Sequence, residues 1–258
     1  MRIPLLIFTL ISFPFFVIAQ QYPELVTDRP DQTESSAVVP RKTLQIETGF
    51  VTEKDRSADV ITRSYAYNST LLRYGLLENM ELRLGLEYLG TTTDDSGTRE
   101  IDISGFGPLY IGFKLKILEE EAWIPEAALL GNLTLPFTAN QAYKPPHTGG
   151  GLRFALAHTL SERLSLGYNL GAEWNGRDVN PEYFLSASLG IGITSRLGAY
   201  AEIYSPIPEK VAALHMVDAG LTFLITPNFQ LDVSGGIGLN DAAPDHFLSC
   251  GLSWQIPH

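Results

Sequence analysis

The chain has almost no cysteine, no long apolar segment after its first residues, and little positive charge. Cys250 is its single cysteine, so no disulfide can form within the chain. A membrane-spanning helix needs about 18 consecutive apolar residues, and no segment after residue 19 supplies them. Lys and Arg number 18 against 29 Asp and Glu, a formal net charge of −11. Phosphate binding needs clustered cations, so this composition excludes nucleic acid as a partner.

The sequence also lacks the patterns of metal and catalytic sites. No set of Cys, His, Asp and Glu has the close spacing of a zinc site, so we expect no metal and no cofactor. A lipid hydrolase on the wall of a barrel needs His and Ser on one strand face, which residues two apart share. Ser249 lies three positions from His246, and the neighbours of His158 are Leu156 and Leu160. We therefore predict no catalytic residue, and a lipid hydrolase is the weakest functional hypothesis.

The first 19 residues have the composition of a secretory signal peptide. Arg2 supplies the positive charge, residues 3–18 are mostly apolar, and Ala19 ends a short stretch suited to cleavage. Gln20 follows the predicted cleavage site, which disfavours a lipid-anchored protein because lipidation there requires a cysteine. The sequence therefore predicts an exported protein whose mature chain begins at residue 20.

The mature chain alternates apolar and polar residues, and residues 80–89 show this most clearly. One face would carry Met80, Leu82, Leu84, Leu86 and Tyr88, and the other Glu81, Arg83, Gly85 and Glu87. A period of two is that of a β-strand. Similar segments span residues 43–51, 61–74, 101–117, 123–135, 150–160, 164–174, 182–193, 197–204, 214–225, 229–238 and 245–256. In the second segment we expect Tyr65, Tyr67 and Leu71 to face outward.

The connections between these twelve segments are alternately short and long. Tight turns are predicted at residues 76–79, 119–122, 161–163, 194–196 and 226–228, and longer polar loops at residues 52–60, 90–100, 136–149, 175–181, 205–213 and 239–244. Short periplasmic turns and long external loops are typical of bacterial outer-membrane barrels. We predict an all-β, antiparallel transmembrane β-barrel of about twelve strands over residues 43–258.

Aromatic residues are expected at both ends of the predicted strands. Those beside the tight turns or the C-terminus are Tyr74, Trp123, Phe229 and Trp254, and those at the opposite ends are Phe50, Tyr88 and Trp174. Two aromatic girdles mark the two membrane interfaces of a spanning barrel. The expected location is thus the outer membrane of a Gram-negative bacterium, with its lipid and its assembly machinery as partners.

The charged residues of the strands are predicted to point into the barrel. A charge facing lipid near the bilayer centre costs about 2–4 kcal/mol. The expected lumen-lining residues are Glu47, Glu81, Arg83, Glu87, Lys114, Lys116, Glu126, Arg153, Glu173, Glu202, Asp218 and Asp232. They are compatible with a polar passage for small solutes and equally with a filled interior, since a twelve-stranded barrel lies between filled and open barrels.

Residues 20–42, which we call the arm, precede the first strand. They include Asp28, Arg29, Asp31 and Glu34, a high density of charge. The arm is either a solvated periplasmic tether or a plug that folds into the barrel. In the second case we expect Arg29 to meet lumen carboxylates such as Glu47 or Glu81.

The string Thr-Asp-Arg-Pro-Asp-Gln-Thr-Glu at residues 27–34 precedes Pro40 and the sequence Leu-Gln-Ile-Glu at residues 44–47. This arrangement resembles the opening of the outer-membrane family labelled as the transporter of the meta-pathway of phenol degradation. The resemblance implies a porin-like transporter or channel for small solutes, aromatic or hydrophobic ones among them. The alternative is a structural or interaction barrel that does not transport and that meets an external partner through loops such as residues 136–149.

Overall fold

The computed structural model describes residues 24–95 and 99–256, so the predicted signal peptide lies outside the described residues. The strands are β1 Leu44–Ser57, β2 Val60–Leu77, β3 Met80–Asp95, β4 Arg99–Phe106, β5 Leu109–Leu118, β6 Glu126–Leu135, β7 Gly149–Ser161, β8 Leu164–Trp174, β9 Glu182–Gly192, β10 Leu197–Pro208, β11 Met216–Thr226, β12 Phe229–Gly238 and β13 His246–Ile256. A short 3-10 helix covers Pro136–Thr138. In the part of the chain that the structure describes, no helix has the length and apolar character to cross a membrane.

The strands close into an antiparallel barrel. Each strand of the ring pairs with the next one along the chain, β5 pairing with β3, and β1 pairs with β13 from Leu44 opposite Ile256 to Lys54 opposite His246. Twelve strands form the closed ring, and β4 is an additional strand paired with the outer half of β3. Closure leaves no unpaired sheet edge within the ring, the condition that lipid imposes on a spanning sheet. The predicted fold class is confirmed.

The predicted fourth strand, residues 101–117, is in fact two strands interrupted at Gly107 and Pro108. The proline has no N–H to give to a ladder. The N–H of Gly107 donates to the Glu87 carbonyl at 3.0 Å, β4 pairs with residues 88–95 of β3, and β5 pairs with residues 80–85.

The predicted loops at residues 52–60 and 90–100 were also wrong in part. β1, β2 and β3 continue as a paired ladder in which Ser57 lies opposite Val60 and Val60 opposite Asp95. Polar sequence suggested loops there, but a hairpin beyond the membrane has water on both sides and does not need apolar alternation.

The two faces of the barrel differ in polarity. On β12 the outward residues Leu231 and Val233 are 41% and 51% exposed, whereas the inward residues Asp232 and Ser234 are buried. β2 departs from the prediction because a bulge between Ala66 and Asn68 shifts its register. One extra residue reverses the alternation beyond it. Leu71, predicted outward, therefore shares the inner face with Arg73, while Leu72 and Tyr74 face outward.

Aromatic side chains cluster on the outer face at the end of the barrel that carries the longer connections, which we call the long-loop end. Tyr67 stacks on Tyr65 with 5.4 Å between ring centroids, and Tyr88 meets Phe106 edge-on at 5.1 Å. At the opposite end, which we call the tight-turn end, Tyr74, Trp123 and Trp254 are exposed. Both chain ends of the barrel lie there, as Leu44 opposite Ile256 shows.

The outward position of Val233, halfway along β12, gives a test of the lipid-facing surface. We expect Val233→Arg to lower the free energy of unfolding from lipid vesicles by about 2–4 kcal/mol, because the guanidinium would face hydrocarbon. The control Val179→Arg alters a residue that is 83% exposed between β8 and β9 and should change stability by less than about 0.5 kcal/mol. Equal stability of the two variants in a denaturant titration would contradict this orientation of β12.

Candidate functional site

The described part of the arm makes hydrogen bonds to side chains of eleven of the twelve ring strands. The partners of arm residues 26–39 are Gln45 and Glu47 on β1, Arg73 on β2, Glu81 and Arg83 on β3, Lys114 on β5, Glu126 on β6, Arg153 on β7, Asn169 on β8, Ser186 on β9, Glu202 on β10, Gln230 and Asp232 on β12, and Ser249 on β13. A segment bonded to strands all around the ring lies inside the barrel.

Asp28 is the most heavily bonded arm residue. Its carboxylate lies 3.0 Å from Arg73 Nη1, 2.9 Å from Arg83 Nη1 and 2.8 Å from Lys114 Nζ. Burial alone would raise the pKa of Asp28, but the three cations outweigh it and hold this pKa well below its usual range. The carboxylate is thus fixed in its charged form.

Arg73 connects this carboxylate to the wall of the barrel. Its guanidinium binds both oxygens of Glu81, at 2.8 and 2.9 Å, and one oxygen of Glu47 at 2.8 Å. The other Glu47 oxygen accepts the backbone N–H groups of Asp28 and Arg29, each at 3.0 Å. Arg73, Glu47 and Glu81 are at most 1% exposed, and each of these three buried charges is paired, as burial requires.

Glu34 extends the same network along the arm. Arg83 Nη2 donates to both of its oxygens, at 2.9 and 2.8 Å. Asn169 holds the Glu34 backbone on both sides, because its amide oxygen accepts the N–H at 2.7 Å and its amide nitrogen donates to the carbonyl at 2.9 Å. Burial raises the pKa of Glu34 despite Arg83, so Glu34 holds its charge less firmly than Asp28.

Arg29 points to the other side of the barrel. Its Nη2 donates to Asp232 Oδ1 at 2.9 Å and to Ser249 Oγ at 3.0 Å. Gly49 and Gly251 face each other across β1 and β13, and a Cβ atom on either would overlap the Arg29 guanidinium. These two glycines form the slot in which the guanidinium lies. The Arg29 side chain therefore pairs with Asp232, not with Glu47 or Glu81, while its backbone N–H bonds to Glu47.

A different kind of environment surrounds Asp31, the third acidic residue of the arm. Glu202 accepts the backbone N–H of Gln32 at 2.8 Å and also contacts the Thr33 hydroxyl. Asp218 lies directly opposite Glu202 on β11. Burial, and then the nearby Glu202, raise the pKa of Asp31 well above its usual range. We call Asp31, Glu202 and Asp218 the acid pocket.

The inner face becomes apolar beyond the acid pocket, toward the long-loop end. Met216, Ala243 and Phe247 form a buried cluster with Val51, Tyr204 and Leu214 packed against it. On the neighbouring wall, the Arg153 guanidinium lies 3.9 Å from the centroid of the Phe184 ring. At the long-loop end, the interior on the side of β10 to β13 is therefore packed with apolar and aromatic side chains.

Eight of the twelve charged residues predicted to line the lumen bond to the arm, namely Glu47, Glu81, Arg83, Lys114, Glu126, Arg153, Glu202 and Asp232. Asp218 joins the acid pocket. The other three pair elsewhere: Lys116 with Glu119 and Glu126, Glu173 with Arg153, and Glu87 with Ser69.

The sequence prediction missed Arg73, the central cation of the network. The cause is the bulge in β2, which made the register of this strand ambiguous. Leu72 and Tyr74 flank Arg73, and reading the alternation from the tight-turn end of the strand would have found it. Gln45, Asn169 and Gln230, which bond to the arm, were not singled out because a neutral amide on a polar face carries no distinctive signal.

Among the residues that the structure describes, no group of three or more His, Cys, Asp or Glu side chains is placed to hold a metal ion. The histidine considered for lipid hydrolysis, His158, has the Tyr168 hydroxyl 3.3 Å from its Nε2 atom. Its Nδ1 atom is 3.8 Å from Glu120. Its hydrogen-bond partner is thus a phenol and not a serine.

Comparison with known proteins gives a family and a fold. A family model described as "Putative MetA-pathway of phenol degradation" matches residues 27–256. The crystal structure of an outer membrane channel from Pseudomonas putida F1 is similar with a TM-score of 0.65 and 16% identity, over 88% of this chain and 99% of that chain. The translocator domain of the autotransporter NalP from Neisseria meningitidis is similar with a TM-score of 0.51 and 10% identity, over 84% and 89%. No curated protein matches the sequence. At these identities the structures establish the barrel fold.

The Asp28 network predicts a strong effect of one neutral substitution. We expect Asp28→Asn to weaken docking of the arm by about 3–5 kcal/mol, since it leaves buried cations without their partner. Because the pKa of Asp28 is depressed, its contribution to the stability of the docked arm is complete above about pH 4. That contribution is lost only as pH falls through the lowered pKa. Hydrogen exchange of residues 27–39 at pH 7, followed by mass spectrometry, should show lost protection in the variant.

The matched control for that experiment is Glu24→Gln. Glu24 is an exposed arm acid that takes no part in the network, so its variant should exchange like the parent protein. Equal protection of the arm in Asp28→Asn and in the parent protein would contradict the role assigned to Asp28.

Proposed function

This chain belongs to the family described as "Putative MetA-pathway of phenol degradation", and from that premise we propose that it is an outer-membrane channel for small solutes which the arm closes at rest. The observation that carries the proposal is the position of the arm, bonded to inner-face side chains of eleven ring strands. A tether in the periplasm would have no use for a fitted site inside the barrel.

The closure is supported by the burial of charged groups at the level of the arm. Arg73, Glu81 and Lys114 are 0% exposed, and Arg83 and Glu202 are 4% and 2% exposed. Charged side chains that line an open aqueous passage would be wetted. With the arm docked, these five side chains are shielded from water.

The charges of the wall are divided into two sides. Arg73, Arg83 and Lys114 on β2, β3 and β5 form a basic side, and Glu202, Asp218 and Asp232 on β10 to β12 form an acidic side. The arm matches them, since Asp28 and Glu34 meet the basic side and Arg29 meets Asp232. Without the arm, the two sides would face each other across a polar passage.

The solutes we propose are small and include aromatic ones, in keeping with the description of the family. The apolar packing at the long-loop end, which includes Met216, Phe247 and Tyr204, is compatible with an uncharged ring. The charged layer below it would admit such a solute only when the arm moves. The proposed function is passage through the membrane, without catalysis.

Planar-bilayer conductance tests the proposal. The mature chain should be silent or nearly so, and a chain that starts at residue 43 should show discrete current steps because the arm no longer fills the barrel. A peptide of residues 20–42, added to the chamber at the tight-turn end, should block those steps. The same peptide with Asp28 replaced by Asn should block only at a much higher concentration.

Correct folding of the shortened chain must be shown first, by the usual shift in gel mobility on heating. A folded but silent barrel from residue 43 onward would contradict the proposal and would favour an interaction protein. Vesicle swelling in phenol, compared with an equally small charged aromatic acid, would then test the class of solute.

A further inference from the structure

Among the residues that the structure describes, the acid pocket is the place where the arm and the wall do not match in charge. Glu202 and Asp218 are direct cross-strand partners on the inner face of β10 and β11, where opposed side chains have Cβ atoms about 5 Å apart and like charges are destabilising. The arm adds a third acid there, Asp31, near Glu202. In the described part of the chain, no Lys, Arg or His forms an ion pair with any of the three.

Asp218 is buried without a partner for its carboxyl group. It is 4% exposed, and neither of its oxygens accepts a hydrogen bond of ordinary geometry; its nearest polar neighbours are the Glu202 carboxylate and the Tyr200 hydroxyl. The Tyr200 hydroxyl and Ser234 Oγ, from the two adjacent strands, are buried and unpartnered as well. Both side chains close over Gly220, the next inward residue of β11. An ionised carboxylate in such a place would be very costly, because burial penalises a charge that has no counterion.

The other groups around the pair do not supply a counterion. The acids and phenols nearby are Asp31 on the arm, Tyr200 and Tyr204 on β10 and Glu53 on β1; Asp28 also acts on Asp31 but is paired with its own cations. β9 contributes Ser186 and Ser188, β13 contributes Phe247, and Asp232 on β12 is paired with Arg29.

We propose that the acid pocket is a proton-binding site, in which Asp218 carries a proton opposite the Glu202 carboxylate at neutral pH, and that this proton holds residues 31–34 of the arm in the barrel. Glu202 is then a single negative charge that is free to accept the Gln32 N–H and the Thr33 hydroxyl. Loss of the proton places two opposed carboxylates beneath Asp31, and their repulsion drives this part of the arm away.

The direction of the pH effect follows from this arrangement. A group whose neutral form is favoured in the docked state stabilises docking at low pH. This stabilisation is lost as pH rises through the pKa that the group has in the docked state. Asp28 acts in the opposite direction, because its docked form is the ionised one. Docking of the arm should therefore weaken at both extremes of pH. In strong acid Asp28 becomes protonated, and in alkali the acid pocket loses its proton.

Infrared spectroscopy of the refolded mature protein at pH 7 tests for the proton directly. The carbonyl stretch of a protonated carboxyl group should be present, and its intensity should fall in Asp218→Asn. Glu162→Gln, in the exposed turn after β7, should leave the band unchanged. An equal band in Asp218→Asn and in the parent protein would overturn the proposal.

Hydrogen exchange tests the consequence for the arm. In the parent protein, protection of the Gln32 and Glu34 amides, corrected for intrinsic rates, should fall about tenfold per pH unit once the pair titrates, because one proton is released with the arm. Asp218→Asn imitates the protonated state of the pair and should weaken this dependence to the part that Asp31, whose pKa is also raised, still contributes. If that variant does not fold, Glu202→Gln removes the same repulsion and should also flatten the profile.

Two outcomes of the exchange experiment would overturn the proposal. One is an unchanged pH profile in the folded variant. The other is protection that follows added Na⁺ or Ca²⁺ at constant ionic strength and not pH, since the charge in the pocket would then be a metal ion. The inference rests on the docked arm that the proposed function also uses, but neither readout depends on conductance. A silent channel with the predicted infrared band would therefore count only against the proposed function.

Discussion

The placement of the arm depends on one carboxylate, that of Asp28, enclosed by Arg73, Arg83 and Lys114. Three cations on neighbouring strands would repel one another inside the barrel, and Glu47 and Glu81 reduce this repulsion without cancelling it. Asp28 and Glu34 bring the missing negative charge from the arm. Wall and arm thus complete each other, because a buried charge is tolerated only when it is paired and hydrogen-bonded.

The same constraint explains the remaining geometry of the interior. Arg29 can reach Asp232 only because Gly49 and Gly251 leave room for its guanidinium, so the arm is matched to the wall in shape as well as in charge. The acid pocket differs, because its buried carboxyl groups have no cation as a partner. A proton is the smallest positive charge that could neutralise one of them. Asp28 is firmly paired, whereas the acid pocket next to it can titrate. Residues 31–34 can therefore detach from the wall while the part of the arm around Asp28 stays docked.

Much of the architecture could be predicted from the sequence, because a barrel in lipid must alternate apolar and polar residues and must close. The division of the predicted fourth strand could not be predicted from the sequence. It depends on the pairing with β3, because the residues before Gly107 and those after Pro108 pair with different parts of that strand. Arg73 was missed because a bulge reverses the alternation of β2. For the arm, the charges at residues 28–34 suggested a site, but whether they lay in the barrel depended on partners from eleven strands that no local pattern reveals.

A disulfide between arm and wall tests most directly whether the arm is docked inside the barrel. Thr33 and Ser186 have hydroxyl oxygens 2.7 Å apart, so we expect that the sulfur atoms of cysteines at these two positions can meet. In a Cys250→Ser background, the double variant Thr33→Cys with Ser186→Cys should form the disulfide in the outer membrane of intact cells. The pair Thr33→Cys with Val179→Cys, which joins the arm to an exposed loop residue, should not. A folded Thr33–Ser186 variant whose thiols stay free under oxidising conditions would contradict the account.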